Sequence, residues 1–162
     1  MSHQIYILSV FLHIIAACLW LGGMLFLILA LIPSIKNHPD KINLIAAVSM
    51  KFRIAGIFAL IVLLITGVLQ LEYRGVKWNL EYFTNSSFGT IAGLKIIIFT
   101  LILSISLIHD YYIGTNAIEA WKKDPYSPKT ITLRNLSRKL GRANFILALV
   151  AVFLGVILVR GW

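Results

Sequence analysis

IYILSVFLHIIAACLWLGGMLFLILALIPSI, residues 5 to 35, contains no Asp, Glu, Lys or Arg. About 20 apolar residues in a helix cross the ~30 Å hydrocarbon layer of a bilayer, so this run is long enough to span one. A secretory leader would carry a basic segment before a shorter apolar run of about 7 to 15 residues. Here Met1-Ser2-His3-Gln4 has neither Lys nor Arg, and the run is read as a retained helix.

Three further charge-poor stretches follow: Ile54 to Leu71, Ile96 to His109 and Ala143 to Val159. With 59% hydrophobic and 13% charged residues and a mean hydropathy of +0.89, the chain lacks the roughly 25% of charged residues that cover a soluble domain. The expectation is an all-α integral membrane protein, a four-helix bundle forming a single domain over 1–162, with helices near 5–33, 51–71, 90–113 and 142–160. Cys18 is the single cysteine, which excludes an intramolecular disulfide.

Basic residues in short connections mark the cytoplasmic side. Lys36, Lys41, Lys51 and Arg53 lie between the first two spans, and Lys122, Lys123, Lys129, Arg134, Arg138, Lys139 and Arg142 between the last two. The opposite side holds only Arg74, Lys77, Lys95 and Arg160. Both termini are therefore expected outside a cytoplasmic membrane crossed four times. The net charge of +9 is read as topogenic, with anionic lipid headgroups as the neighbours. It does not point to nucleic acid, because the charges flank apolar spans and make no basic face.

Polar groups within the hydrocarbon are costly, so each needs a reason. His13 lies ~12 Å inward from Ile5 and His109 ~6 Å inward from Ile113, by the helical rise of 1.5 Å. Their depths differ by roughly 12 Å across a ~30 Å core, so one metal ion cannot take both in a monomer. His13, Ala16, Ala17, Trp20 and Met24 share a helical stripe with Gly23 at its margin. Thr66 and Gln70 lie one turn apart in the outer half of the second span. Lys95, Ser106 and His109 occupy one arc of the third. Two polar clusters are expected, an outer one of His13, Thr66, Gln70 and Lys95 and an inner one of Arg53, His109, Asp110, Arg142 and Asn144. Plainer readings stand beside these: close helix packing for Gly22-Gly23, snorkelling for Lys95, and interfacial pairing of His109-Asp110 with Arg53 or Arg142.

The run His13-Ile14-Ile15-Ala16-Ala17-Cys18-Leu19-Trp20-Leu21-Gly22-Gly23, with Phe52-Arg53, Thr66-Gly67-Val68 and Gly93-Leu94-Lys95, resembles small membrane proteins of the copper resistance protein D (CopD) type. So do His109-Asp110-Tyr111-Tyr112-Ile113-Gly114 and Leu140-Gly141-Arg142-Ala143-Asn144. The chain is more distantly similar to the HemJ family of membrane protoporphyrinogen oxidases. The second resemblance implies haem b with His13 as a ligand and a functional Lys95; the first implies passage of copper ions.

Two classes of function follow. In one the bundle holds haem b and acts as a redox protein or oxidoreductase, with His13, Trp20, Gly23, Thr66, Gln70 and Lys95 around the group. In the other, copper ions are bound or passed, with His13 and His109 as metal ligands. Copper(I) favours thiolate and thioether donors, and Cys18, Met24 and Met50 lie at different depths. Haem asks less of the protein, an axial ligand and cations for its propionates. A symmetric dimer would bring two copies of His13 together as a bis-histidine pair. The electron partner is not legible.

The charge asymmetry makes a prediction about orientation. In a background without other accessible thiols, Lys123→Cys should resist a membrane-impermeant thiol reagent applied outside intact cells. Ready labelling there would reverse the topology.

Overall fold

The computed structural model describes residues 2–160, and among them it contains helices and no strand. Four helices are long and apolar enough to cross a membrane. We number the helices α1 His3–Ser34, α2 Lys41–Tyr73, α3 Leu80–Asn85, α4 Ser87–Lys123 and α5 Pro128–Arg160. The all-α class read from the sequence is thus observed, and the chain is a multi-pass membrane protein. Two compact units divide at Val76 and Lys77, one holding α1 and α2, the other α3 to α5.

Large apolar side chains are turned outward: Ile54 is 68% exposed, Phe58 65% and Phe153 64%. In water such surfaces would mark an interaction site or an aggregation hazard; on helices of this length they are the faces lipid covers. The buried seams use smaller groups, Ala16, Ala59 and Gly56 in the first unit and Ala92, Ala117 and Ala148 in the second. Small residues let helix backbones approach when there is no hydrophobic gain from leaving lipid.

Helix ends differ from the sequence reading in a systematic way. The second helix begins at Lys41, ten residues before the expected 51, and the last at Pro128 instead of 142. The third runs on past 113 to Lys123. Apolar composition marks the hydrocarbon, whereas a helix ends where a cap ends it. At the start of α5, Ser127 Oγ accepts from Thr130 N at 3.2 Å and Pro128 occupies the first helical position, where its missing N–H costs nothing. The polar first turns of α5 pack on the end of α4, with the Arg134 guanidinium 3.7 Å from the centre of the Trp121 ring. Thr130 is wholly buried there and donates to the Asp124 carbonyl at 2.8 Å.

Two helices widen into a single π-helical turn. In α1 this is Leu27–Leu31, where Ile32 N reaches back to Leu27 O. Proline within a helix lacks a donor and crowds the carbonyl four residues earlier, and the wider turn just before Pro33 lets α1 continue to Ser34. In α4 the wide turn is His109–Ile113, closed by Gly114 N on His109 O. A Cβ at Gly114 would stand 2.9 Å from that same carbonyl oxygen.

At the far end of α2, Gly75 has φ +71°. Its N–H reaches Glu72 O at 3.0 Å and Val76 N reaches Leu71 O at 3.2 Å, the paired bonds of a Schellman stop. Val76, 6% exposed, seals it. Because a side chain in the left-handed region costs roughly 1–2 kcal/mol, Gly75→Ala should lower stability by about that amount. A denaturant titration in detergent micelles reads it, and an unchanged midpoint would contradict this account of the helix end.

Candidate functional site

Within the first unit, α1 and α2 bring together three of the expected site residues. His13 Nδ1 lies 2.8 Å from Thr66 Oγ1. The threonine hydroxyl has one proton and gives it to its own helix, at the Val62 carbonyl with Leu63 O close by, as threonines in helices commonly do. It can then only accept from the imidazole, so Nδ1 carries the proton and Nε2 holds the lone pair. Ser9 tightens the same junction, its Oγ donating to Thr66 O at 3.1 Å. Gly67 adjoins the ring: a Cβ there would come within 3.6 Å of His13 Cε1.

Gln70 lies one turn beyond Thr66 on α2. Its Nε2 is buried and has no hydrogen-bond partner among the described residues. A buried amide donor without an acceptor costs about 1–3 kcal/mol, so this atom asks for an oxygen from outside the helix pair. Further out, the Tyr6 and Tyr73 rings stack at 4.2 Å, His3 Nδ1 lies 3.2 Å from Tyr73 Oη and Arg74 donates to Tyr6 Oη at 3.2 Å. His3 thus joins a clasp between the helix ends.

Trp20 and Gly23 lie where α1 meets α2. Trp20, 6% exposed, packs where Gly56 leaves room, its Cδ1 3.5 Å from where a Cβ on Gly56 would stand. Gly23 sits against the Phe52 ring, which a Cβ would overlap. Both positions hold α1 on α2, and neither opens a slot.

The remaining two expected residues belong to the second unit. Lys95 on α4 directs its ammonium at Gly155 on α5, with Nζ 3.1 Å from an ideal Cβ there. His109 sits in the wide turn of α4. Its Nδ1 donates to Asp110 Oδ1 at 2.8 Å and its Nε2 lies 3.0 Å from Ser137 Oγ. Both ring nitrogens are engaged, so His109 offers no lone pair to a metal in this arrangement. One turn further into the apolar part, Asn144 Nδ2 donates to Ser106 Oγ at 2.7 Å.

Ser137 was passed over in the sequence. Nothing marked it among the polar residues before the last apolar run, because that segment was read as a connection. Recognising Ser127-Pro128 as a helix start would have placed it on α5 facing α4. Among the described residues, no three of His, Cys, Asp and Glu gather as a metal site. Cys18 is exposed on α1.

Over 151 residues, covering 92% of both chains, the sequence is 33% identical to an uncharacterized protein of Aquifex aeolicus (strain VF5). The chain belongs to that protein's family. No family model matches the chain, and no solved structure does.

The His13 junction makes a prediction of its own. Thr66→Val removes the acceptor of a part-buried N–H and should lower stability by about 1–3 kcal/mol, whereas Thr66→Ser, which keeps a hydroxyl, should cost less. Denaturation of the two variants in the same detergent compares them. Equal losses would mean that the hydroxyl bond to His13 contributes nothing.

Proposed function

We propose that the chain is a redox protein of the cytoplasmic membrane that holds haem b at His13. The observation that carries this reading is the contact of His13 Nδ1 with Thr66 Oγ1: a metal-binding histidine donates one ring N–H to a neighbour that orients it, and Thr66 has that neighbour's role here. His13 would hold the iron through Nε2. Gln70 Nε2, a buried donor awaiting an acceptor, suits a propionate or another oxygen of the group. The porphyrin itself would supply four nitrogens, so a single well-oriented histidine would suffice to begin a site. When bound, haem b supplies a one-electron couple.

Copper ions are the weaker alternative. Holding or passing them takes several donors at one depth, and no three of His, Cys, Asp and Glu gather among the described residues. The residues of this chain that bear on haem have simpler tasks. Thr66 orients the imidazole, and Ser9 holds Thr66 in place. Lys95 adds a positive charge within the apolar part of the second unit.

Haem content per protein, measured with the absorption spectrum of the purified chain after haem-replete expression, tests the reading. His13→Ala should lose most of the Soret band, since the axial bond contributes much of the hold on iron, while a cavity alone costs a few kcal/mol and spares the fold. Lys95→Ala should keep the band and shift the midpoint potential. His109→Ala should keep it as well. No haem in the parent, or full haem in His13→Ala, would overturn the proposal.

A further inference from the structure

The second unit carries a line of polar groups that the haem reading does not use. It begins at the basic end of α4 and α5 with Asp110 and His109, whose side chains are 29% and 30% exposed. It continues through Ser137 to Ser106 and Asn144, which are 7% exposed. Ser106 and His109 lie on one face of α4, ~4.5 Å apart along its axis. Beyond them Ile98, Ile102, Ala148 and Leu154 are buried and apolar, and the next polar group on that face is Lys95.

One atom in this line is unsatisfied. Asn144 Oδ1 is buried with no hydrogen-bond partner among the described residues, while its Nδ2 is spent on Ser106. Whichever way the amide is turned, one of its two polar atoms faces nothing. In hydrocarbon such an atom costs several kcal/mol. A water molecule is the smallest group that satisfies it, and the Ser106 hydroxyl beside the amide is a second polar partner for one. The wide turn at His109–Ile113 is the local distortion that sets the imidazole toward α5, and such turns recur at working positions in helices.

We propose that Asp110, His109, Ser137, Ser106 and Asn144 form a water-filled proton path from the basic end of this helix pair to the depth of Asn144, closed beyond it by the Ile98 and Ile102 layer. Ser137 passes its hydroxyl proton to His109 Nε2 and takes another from a hydronium ion, which leaves as water, so one proton enters and an imidazolium forms. The Asp110 carboxylate, accepting from Nδ1, balances that charge; release reverses the step. The order Ser137–His109–Asp110 also resembles a nucleophile with its base and carboxylate. Ser137 lies inside α5, however, where backbone amides are already bonded within the helix, so no donors remain for an oxyanion. The line handles protons.

Solution NMR of the ¹⁵N-labelled full-length protein in micelles tests the path through the Asn144 side-chain amide. Water access predicts exchange of its Nδ2 protons within seconds, seen as cross-peaks to water. A dry site predicts protection for hours. Ser137→Leu, which puts an apolar branch at the mouth of the path, should slow the exchange by about tenfold or more, as should His109→Phe. Lys95→Met, beyond the apolar layer, should leave it unchanged. Protection of the Asn144 amide for hours in the parent overturns the proposal without any variant. Equal exchange in the parent and in either blocking variant that retains a dispersed native spectrum overturns it too.

Discussion

A polar side chain within hydrocarbon has no water to fall back on, and each of the few this chain places there has to find its partner on a helix. The bond between His13 and Thr66 is the clearest case. It fixes the rotation of α1 against α2, because only one face of each helix carries the matching group. Ala16, Trp20, Gly56 and Ala59 then follow on the same seam. Ser9 reaches the Thr66 carbonyl from the same face of α1, so a slip of one residue along the pair would leave two polar groups unmet. In lipid, where apolar faces gain little by meeting one another, such bonds and close small-residue packing decide register.

The second unit solves the same problem with more polar groups and more contact with water. Its two long helices form a hairpin through Asp124 to Ser127, where Ser127 and Thr130 satisfy the turn with their own hydroxyls. At 37 and 33 residues, α4 and α5 run to ~50 Å or more, well beyond a ~30 Å core. The surplus lies at the basic end, where polar helix stands clear of the apolar layer. Lys122, Lys123, Lys129, Arg134, Arg138, Lys139 and Arg142 are thus borne on packed helix, with Arg134 steadied over Trp121. The positive charge that the positive-inside rule counts is here displayed on a folded hairpin.

The spans were legible because hydrocarbon thickness and residue hydropathy impose one scale on the sequence. Depth alone singled out His13, and the one-turn spacing of Thr66 and Gln70 put both on its side of α2. The helix ends were not legible from charge-free runs, since Lys41 to Arg53 and Pro128 to Arg142 are helical and carry charges. That error hid Ser137 and with it the partner of His109. Trp20 and Gly23 show a different limit: a stripe of small and aromatic residues is the same whether it lines a ligand or another helix. Only the Phe52 ring against Gly23, and Gly56 against Trp20, decide between the two. The wide turns carry weaker signs, a proline two residues after one and a glycine directly after the other.

The two half-buried histidines end in different hydrogen-bond states because of what their neighbours can still give. Thr66 has already committed its proton to its own helix, so it accepts from His13 and leaves the far nitrogen with a lone pair. Asp110 can only accept, and Ser137 can both give and take, so His109 has a partner for each nitrogen and an open route for a proton between them. A lone pair held in a fixed direction suits a metal centre. A ring with both nitrogens in hydrogen bonds suits proton transfer, since a proton gained on one side is balanced by the carboxylate on the other. Each hydrogen-bond state follows from the capacity of one neighbouring side chain, and exchanging the neighbours would exchange the states.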